Sequence, residues 1–440
     1  MFIAGLLLAL LQAQQVVHSM SDISQEFTFY MDGRFAKQYL SGHGTDRRNW
    51  GSLSKLDLSN ANLLLLTEGN IRIPYSEGAI ENIHHFMQGG GTVLMMLNPV
   101  KQKGEVLRMN QSPGSVIASR YGASMGEHLH FGEPKSWEIE KSNQEDKPLL
   151  AWRKVGKGNF LVGSRNLFGH RPDASDPINA EWITPLLLKL TKSKKVDPKK
   201  PLKGPWAEHE MELGPLIVEY HDGTEPFAQA IGEEYQEIRP HLVEVTGVEP
   251  SEGMIKRLLI LPTGGGGFSS GARIAIGAWW GGYPEKRYGM VELIGHEAGH
   301  SWVLPHAEPL WNEPIATWLG IQVGKRMALS QAQETLDRQL AKGRKHDPDF
   351  TEINPQSPDA PRDLVWGKSY FVFEEMERRF GPGAMAKYFR TKRATVPAAH
   401  SSYTMNDCVA IWSLATGENL FPWFQSLAFD VEAKRTEFYP

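Results

Sequence analysis

Residues 290–302 read Met-Val-Glu-Leu-Ile-Gly-His-Glu-Ala-Gly-His-Ser-Trp, and this stretch decides how the second half of the chain is interpreted. We predict that it forms a helix. His296 and His300 are four residues apart, so on a helix both imidazoles lie on one face and can reach one metal ion. From Leu293 to Trp302 the only acidic residue is Glu297 and there is no Lys or Arg, as expected for a helix buried around a metal. A helix that carries these residues for structural reasons is the simpler alternative.

Glu297 follows the first histidine directly. A carboxylate in this place can act as a general base, because it can take a proton from metal-activated water as that water attacks a carbonyl carbon. The motif therefore predicts hydrolytic chemistry at this helix, with Glu297 as the catalytic base.

A catalytic zinc ion usually takes three protein ligands and keeps one position open, so a third ligand is needed. We favour Glu313, because the twelve residues between it and His300 suffice for a turn and a second, antiparallel helix. His306 lies six residues after His300, the metzincin spacing, but Val303 stands where that turn needs a glycine. Glu308 is a weaker option.

Together with Asn-Glu-Pro-Ile-Ala at residues 312–316, the motif at residues 296–300 resembles the gluzincins, in which an Asn-Glu-x-x-Ala helix supplies the third ligand. Within that clan the chain is similar to the enhancin and mucin-degrading (peptidase-60-like) group, with residues 407–424 as a further point of similarity. The resemblance covers about Leu216–Phe429. It implies an α+β, mainly helical zincin-like domain with Zn²⁺ on His296, His300 and Glu313, and hydrolysis of peptide bonds in proteins or glycoproteins.

Aminopeptidase-like gluzincins stabilise the oxyanion with a tyrosine at the start of a later helix. The corresponding stretch here is Trp-Gly-Lys-Ser-Tyr at residues 366–370, where Trp366 replaces the expected tyrosine. Tyr370 lies one turn further along the same helix face, so it is the candidate oxyanion donor; a packing role is the alternative. His400 and Tyr403 are further candidates that spacing does not rank.

Gluzincins also place an edge strand beside the zinc helix, and the substrate backbone pairs with it. Our candidate is Arg273–Trp280. Its last part reads Gly-Ala-Trp-Trp at the place of the exopeptidase motif Gly-Ala-Met-Glu-Asn, which favours an endopeptidase. The four glycines at 264–267 do not form a phosphate loop, because no Lys-Ser or Lys-Thr pair follows them.

The first half of the chain has an α/β pattern over residues 22–191. Leu63–Leu66 and Thr92–Leu97 are apolar strand candidates, and Glu77–Gln88 between them has helical spacing with Ser76 placed as its N-cap. This order predicts a βαβ unit in a parallel sheet. A later strand over Asn159–Gly163 and a closing helix over Glu181–Leu190 complete the prediction.

The pattern of this first unit resembles the class I glutamine-amidotransferase-like fold. Active members of that family use a cysteine nucleophile, whereas the single cysteine of this chain, Cys408, lies far outside the unit. The resemblance therefore implies a scaffold or a binding module without amidotransferase activity.

The predicted organisation has four parts. Residues 1–19 have the apolar run of a signal peptide, with a cut after Ser19 or after Ala13, and this predicts a secreted or periplasmic protein. The α/β domain follows over 22–191. A charged, proline-rich linker spans 192–205, and the zinc peptidase domain spans 206–440.

Composition limits the remaining classes of function. The 440 residues include 47 basic and 51 acidic ones, a formal net charge of −4, which gives no electrostatic case for nucleic acid. No stretch is long and apolar enough to cross a membrane. The main alternative to an enzyme is a non-catalytic, zinc-carrying module that binds glycans or proteins.

Overall fold

The computed structural model describes residues 16–22, 39–40, 42–49, 52–67, 75–97, 113–125, 128–168, 179–197, 199–200, 206–250, 255–261, 266–270, 272–278, 282–304, 306–398 and 403–432. These residues form two compact units. The first comprises Met1–Glu210, Glu219–Glu225 and Ile260–Gly265, and the second comprises Met211–Val218, Pro226–Leu259 and Gly266–Pro440.

In the first half of the chain, the described residues form nine strands and three α-helices. The strands are β1 (Val17–Asp22), β2 (Gly44–Asn49), β3 (Leu63–Thr67), β4 (Thr92–Leu97), β5 (Ala123–Met125), β6 (Leu129–Phe131), β7 (Glu138–Ser142), β8 (Pro148–Val155) and β9 (Gly158–Ser164). The helices are α1 (Glu77–Gln88), α2 (Pro113–Arg120) and α3 (Ala180–Thr191).

Seven of these strands form one sheet in the order β2-β1-β3-β4-β9-β8-β7. The first five are parallel to one another, and β8 and β7 extend the sheet antiparallel. Leu64 packs with Ile83 of α1 on one face, while Leu65 packs with Leu187 of α3 on the other. Because both faces of the sheet are covered here, the central strands β3 and β4 are almost continuously apolar.

The predicted βαβ unit is confirmed. Helix α1 spans Glu77–Gln88, and the Ser76 hydroxyl accepts a hydrogen bond from the amide of Ala79 at 3.2 Å. Strands β3 and β4 pair in parallel on either side of it in the chain, with Leu63 opposite Thr92. The later strand and the closing helix also form, as β9 and α3.

Strand β1 begins within the residues predicted as a leader. It pairs with both β2 and β3, and Val17 and Met20 are fully buried. A cut after Ser19 would divide this strand, and a domain that starts at residue 22 would lack it. A cut after Ala13 would leave the strand whole.

Part of the predicted linker is held against the first sheet. The Ser193 hydroxyl donates to the carbonyl of Gly90 at 2.7 Å, and the Lys194 ammonium donates to the carbonyl of Leu58 at 2.7 Å. The amide of Asp197 donates to Asn60 at 2.8 Å. Residues 193–197 are therefore tied to the first unit by hydrogen bonds, although their composition is that of a spacer.

A second sheet has five strands, β10 (His209–Leu213), β11 (Leu216–Tyr220), β12 (Arg257–Leu261), β13 (Gly267–Ser270) and β14 (Arg273–Gly277), in the order β10-β11-β12-β14-β13. The described part of the second half also contains eight α-helices: α4 (Glu225–Thr246), α5 (Arg287–Val303), α6 (Asn312–Arg326), α7 (Gln331–Arg344), α8 (Arg362–Phe380), α9 (Ala384–Thr395), α10 (Met405–Thr416) and α11 (Phe421–Ser426). Helix α4 runs through Pro240, with Ile238 and Leu242 buried on either side.

The observed architecture is therefore an α/β unit with a largely parallel sheet and a mainly helical C-terminal region beside a smaller sheet. Among the residues that the structure describes, no helix is both long enough and apolar enough to cross a bilayer.

Candidate metal centre

Helices α5 and α6 cross at two glycines, and this crossing sets the site. A methyl group at Gly295 would lie 2.7 Å from the Cα of Gly320. A methyl group at Gly320 would lie 2.4 Å from the carbonyl oxygen of Glu292. Both distances are far shorter than van der Waals contact, so only glycine allows the two backbones to come this close. The close approach brings the start of α6, with Glu313, to the histidines of α5.

The geometry of the three predicted ligands fits one small ion. The Nε2 atoms of His296 and His300 are 3.2 Å apart. The Glu313 carboxylate lies 3.3 Å from Nε2 of His296 and 3.6 Å from Nε2 of His300. In a tetrahedral zinc site with Zn–N distances of about 2.0–2.1 Å, ligand atoms are roughly 3.3–3.4 Å apart. The donor set and its spacing therefore suit Zn²⁺.

Glu297 also lies near this point, so two carboxylates compete for the third ligand position. Ligand atoms of His296, Glu297 and His300 fall within 4.8 Å of one another. The Glu313 carboxylate lies 3.3 Å from Nε2 of His296 and 3.6 Å from Nε2 of His300. The Glu313 oxygens reach both histidines, so Glu313 can take the ligand position and leave the Glu297 carboxylate available as a base.

The protonation states of the ligands favour metal binding. Burial lowers the pKa of His300, and the charge of His296 lowers it further, so the imidazole stays neutral. The hydrogen bond with His296 lowers the pKa of Glu313, so the carboxylate stays ionised. Metal ligands must be deprotonated, and both shifts act in that direction.

Glu297 has a different environment. Its side chain is buried, at 6 % exposure. Burial raises the pKa of Glu297 to about 7, the charge of Glu313 acts in the same direction, and His296 opposes it. A carboxyl group with a pKa near neutrality can both accept and release a proton at physiological pH.

Thr317 holds the first histidine in place, and sequence reasoning missed it. Its hydroxyl lies 2.7 Å from Nδ1 of His296. A partner on Nδ1 fixes the ring orientation and directs Nε2 into the site. Thr317 lies four residues after Glu313 on α6, one turn along the same face, and that spacing is the signal that could have identified it.

We expect Thr317→Val to weaken zinc binding about 10–100-fold, because the isosteric side chain keeps the volume but loses the partner of Nδ1. Thr351→Val is the control, since Thr351 is exposed and lies outside the site. Zinc affinities measured by competition with a chromophoric chelator give the comparison. Equal affinities for wild type and Thr317→Val would show that this hydroxyl does not orient the ligand.

The candidate site opens into a cavity of about 450 Å³. Strand β13, helix α5 and the start of α6 contribute most of the residues that line it. The residues that line it are Gly267, Phe268, Ser269, His296, Glu297, His300, Ser301, Leu304, Asn312 and Glu313.

The prediction of the edge strand was wrong, because the edge position belongs to the neighbouring strand. We expected Arg273–Trp280 beside the zinc helix, but its described part, β14, lies inside the sheet between β12 and β13. The strand at the edge is β13, which pairs antiparallel with β14 and lines the cavity. Strand β13 is only four residues long and begins with the last glycine of the run at 264–267, so it has little strand pattern. Arg273–Gly277 is largely apolar, so the sequence favoured the wrong strand.

Tyr370, the candidate oxyanion donor, is fully buried and does not line the cavity. Its ring packs edge-on against Trp366, with centroids 6.1 Å apart, and burial raises the pKa of its hydroxyl. In the part of the chain that the structure describes, no tyrosine lines the cavity. Tyr403 stacks on His306, and His400 lies outside the described residues.

The two alternative third ligands point elsewhere. Nε2 of His306 lies 2.8 Å from the carbonyl oxygen of Pro397. Glu308 is fully buried and pairs with the Lys392 ammonium. Lys392 also donates to the carbonyl of Val303 at 2.6 Å and to that of His306. This contact fastens the connection between α5 and α6 and caps the C-terminal end of α5 with a cation.

Known proteins show only distant structural similarity to this chain. No protein-family model matches the chain, and no curated protein matches it. The fold is similar to the crystal structure of an M1 zinc metallopeptidase from Deinococcus radiodurans, with a TM-score of 0.36, 13 % identity, and coverage of 50 % of this chain and 49 % of that chain.

Two further solved structures are similar to parts of the chain. A variant of the M1 zinc metallopeptidase from the same organism, bound to a Tyr-Ser-Ala substrate, gives a TM-score of 0.34 and 12 % identity over 50 % of this chain and 49 % of that one. The mmIFT52 N-terminal domain gives a TM-score of 0.29 and 13 % identity over 40 % of this chain and 97 % of that domain. The chain thus spans about half the length of the two metallopeptidase structures it matches.

Proposed function

We propose that this chain is a zinc-dependent peptidase of the gluzincin type, with zinc on His296, His300 and Glu313 and with Glu297 as general base. The observation that carries the proposal is the convergence of these three ligand groups at 3.2–3.6 Å from one another, beside a buried carboxylate. A binding site alone needs the three ligands; it does not need a fourth, buried acid with a raised pKa.

In the proposed mechanism, each residue of the site has a separate role. His296, His300 and Glu313 would hold the zinc ion, which would supply Lewis-acid chemistry for polarising the scissile carbonyl and acidifying water. Glu297 takes the proton of the attacking water and returns it to the leaving amine, for which a pKa of about 7 is well suited. The Thr317 hydroxyl keeps the imidazole ring of His296 in the orientation that metal binding needs.

The edge of β13 supplies the means to hold a peptide. An edge strand presents backbone N–H and C=O groups, and an extended substrate can add to it as a further strand. This mode recognises the peptide backbone with little preference for side chains, and it supports an endopeptidase. We extend the proposal to proteins or glycoproteins as substrates and to a secreted or periplasmic location. The first unit then serves as an amidotransferase-like scaffold or binding module, and residues 206–440 form the peptidase domain.

The ligand assignment is tested by two alanine variants. We expect Glu313→Ala to lose at least about tenfold in zinc affinity, because one of three ligands is gone, whereas His306→Ala keeps the wild-type affinity. Zinc per chain, measured by elemental analysis after dialysis against a weak chelator, gives the answer. The reverse result, with zinc lost only in His306→Ala, would establish the metzincin-like ligand set instead.

A non-catalytic, zinc-carrying module that binds glycans or proteins is the second candidate. It is favoured by one observation, the burial of Tyr370 away from the cavity. Digestion of a fluorogenic peptide library and of a mucin, with and without a chelator, distinguishes the two. Chelator-sensitive cleavage supports the peptidase, and zinc binding without cleavage supports the binding module.

A further inference from the structure

The function described so far does not explain why residues 264–267 are all glycines. Of these four glycines, the structure describes Gly266 and Gly267. Gly266 has φ +82°, a conformation that glycine adopts without strain. Its carbonyl accepts a hydrogen bond from the amide of Gly277 at 2.6 Å, and Gly267 then opens β13. The positive φ of Gly266 explains why residue 266 is a glycine, but it does not explain why residue 267 is also a glycine.

Gly267 lies directly against the Glu297 side chain. A methyl group at this position would be 3.0 Å from Cγ and 3.1 Å from Oε1 of Glu297. It would also be 2.5 Å from the carbonyl oxygen of Ala275 on the neighbouring strand. Any side chain here would therefore displace the carboxylate, the strand, or both.

The position of this carboxylate matters more than that of an ordinary buried acid. A general base must come within about 2.6–3.2 Å of the proton it takes, and a displacement of about 1 Å can reduce a rate roughly 10²-fold. Glu297 is buried between its own helix and β13, so the strand limits where its carboxylate can go.

We propose that Gly267 is a positioning residue for Glu297. Because residue 267 has no side chain, the start of β13 leaves the space in which the carboxylate of the base is held. This rests on the proposed role of Glu297 as the base. The same strand then has two tasks, since its edge is available to pair with a substrate while its first residue sets the base beside that edge. The inference explains why the glycine run continues into the strand.

A double-mutant cycle between positions 267 and 297 tests the proposal. We expect Gly267→Ala to lower kcat about 10²-fold with little change in KM and with zinc content unchanged. Aspartate is one methylene shorter than glutamate and leaves room for a methyl group at 267. In a Glu297→Asp background, Gly267→Ala should therefore lower kcat by no more than about tenfold. Gly289→Ala is the matched control, because a methyl group there meets no atom within 4 Å.

The cycle is repeated on zinc-free protein by thermal unfolding, which needs no activity. Gly267→Ala should lower Tm, and the loss should be smaller by about 2 °C or more in the Glu297→Asp background, because part of the clash is relieved. If Gly267→Ala has the same effect in both backgrounds, in kcat and in Tm, the clash with Ala275 accounts for it and the proposal is overturned. If wild-type protein cleaves no peptide, the proposed function fails, while the zinc-free cycle still decides whether residue 267 sets the position of residue 297.

Discussion

Glu297→Gln is expected to lower kcat/KM for peptide hydrolysis by about 10²–10⁴-fold, because it removes the general base and keeps the volume of the side chain. Zinc content should stay at the wild-type level, since the proposed third ligand is Glu313, which lies 3.3 and 3.6 Å from the two Nε2 atoms. The measurement is peptide cleavage together with zinc per chain on the same preparation.

The control for this variant is Glu285→Gln, an exposed glutamate just before α5, which should cleave at the wild-type rate. Full activity in Glu297→Gln would refute the mechanism. Loss of zinc together with activity would instead give Glu297 a ligand role.

Lys392→Met is expected to lower the free energy of unfolding by about 3–5 kcal/mol, because it leaves the Glu308 carboxylate buried without its cation. The side chains of this pair are 1 % and 0 % exposed. Glu308 otherwise accepts hydrogen bonds from Tyr388 at 2.7 Å and from Cys408 at 3.1 Å. These neutral donors do not replace an ammonium group.

The measurement is urea unfolding followed by tryptophan fluorescence, on protein kept zinc-free so that metal binding does not contribute. Arg378→Met is the matched control. Its pair with Glu375 has a similar length, 2.7 Å, but the arginine is 70 % exposed, so we expect no measurable loss of stability. Lys392→Met/Glu308→Gln should regain much of the stability, because no charge is then left buried alone. Equal losses for Lys392→Met and Arg378→Met would contradict the assignment.

Local sequence patterns predicted helices α1, α3 and α5 well, because their signals lie within a few residues. Ser76 marks the start of α1, and the glycines after Gln88 mark its end. The predicted helix over Met290–Trp302 lies within α5, which spans Arg287–Val303. Where composition alone was used, the prediction was weaker: residues 193–197 have the composition of a linker, yet their hydrogen bonds go to Gly90, Leu58 and Asn60 of the first unit.

By itself, the sequence determined that His296 and His300 share one helix face with Glu297 between them, and that two apolar strands flank a capped helix. Helical periodicity and capping act within one or two turns, so they can be read without knowing the fold. Only the tertiary structure decided that β13 is the edge strand, that Tyr370 is buried away from the cavity, and that Thr317 supports His296. Each of these depends on which distant segments meet, and strand order and helix crossing are set by packing over the whole core, which local patterns do not encode.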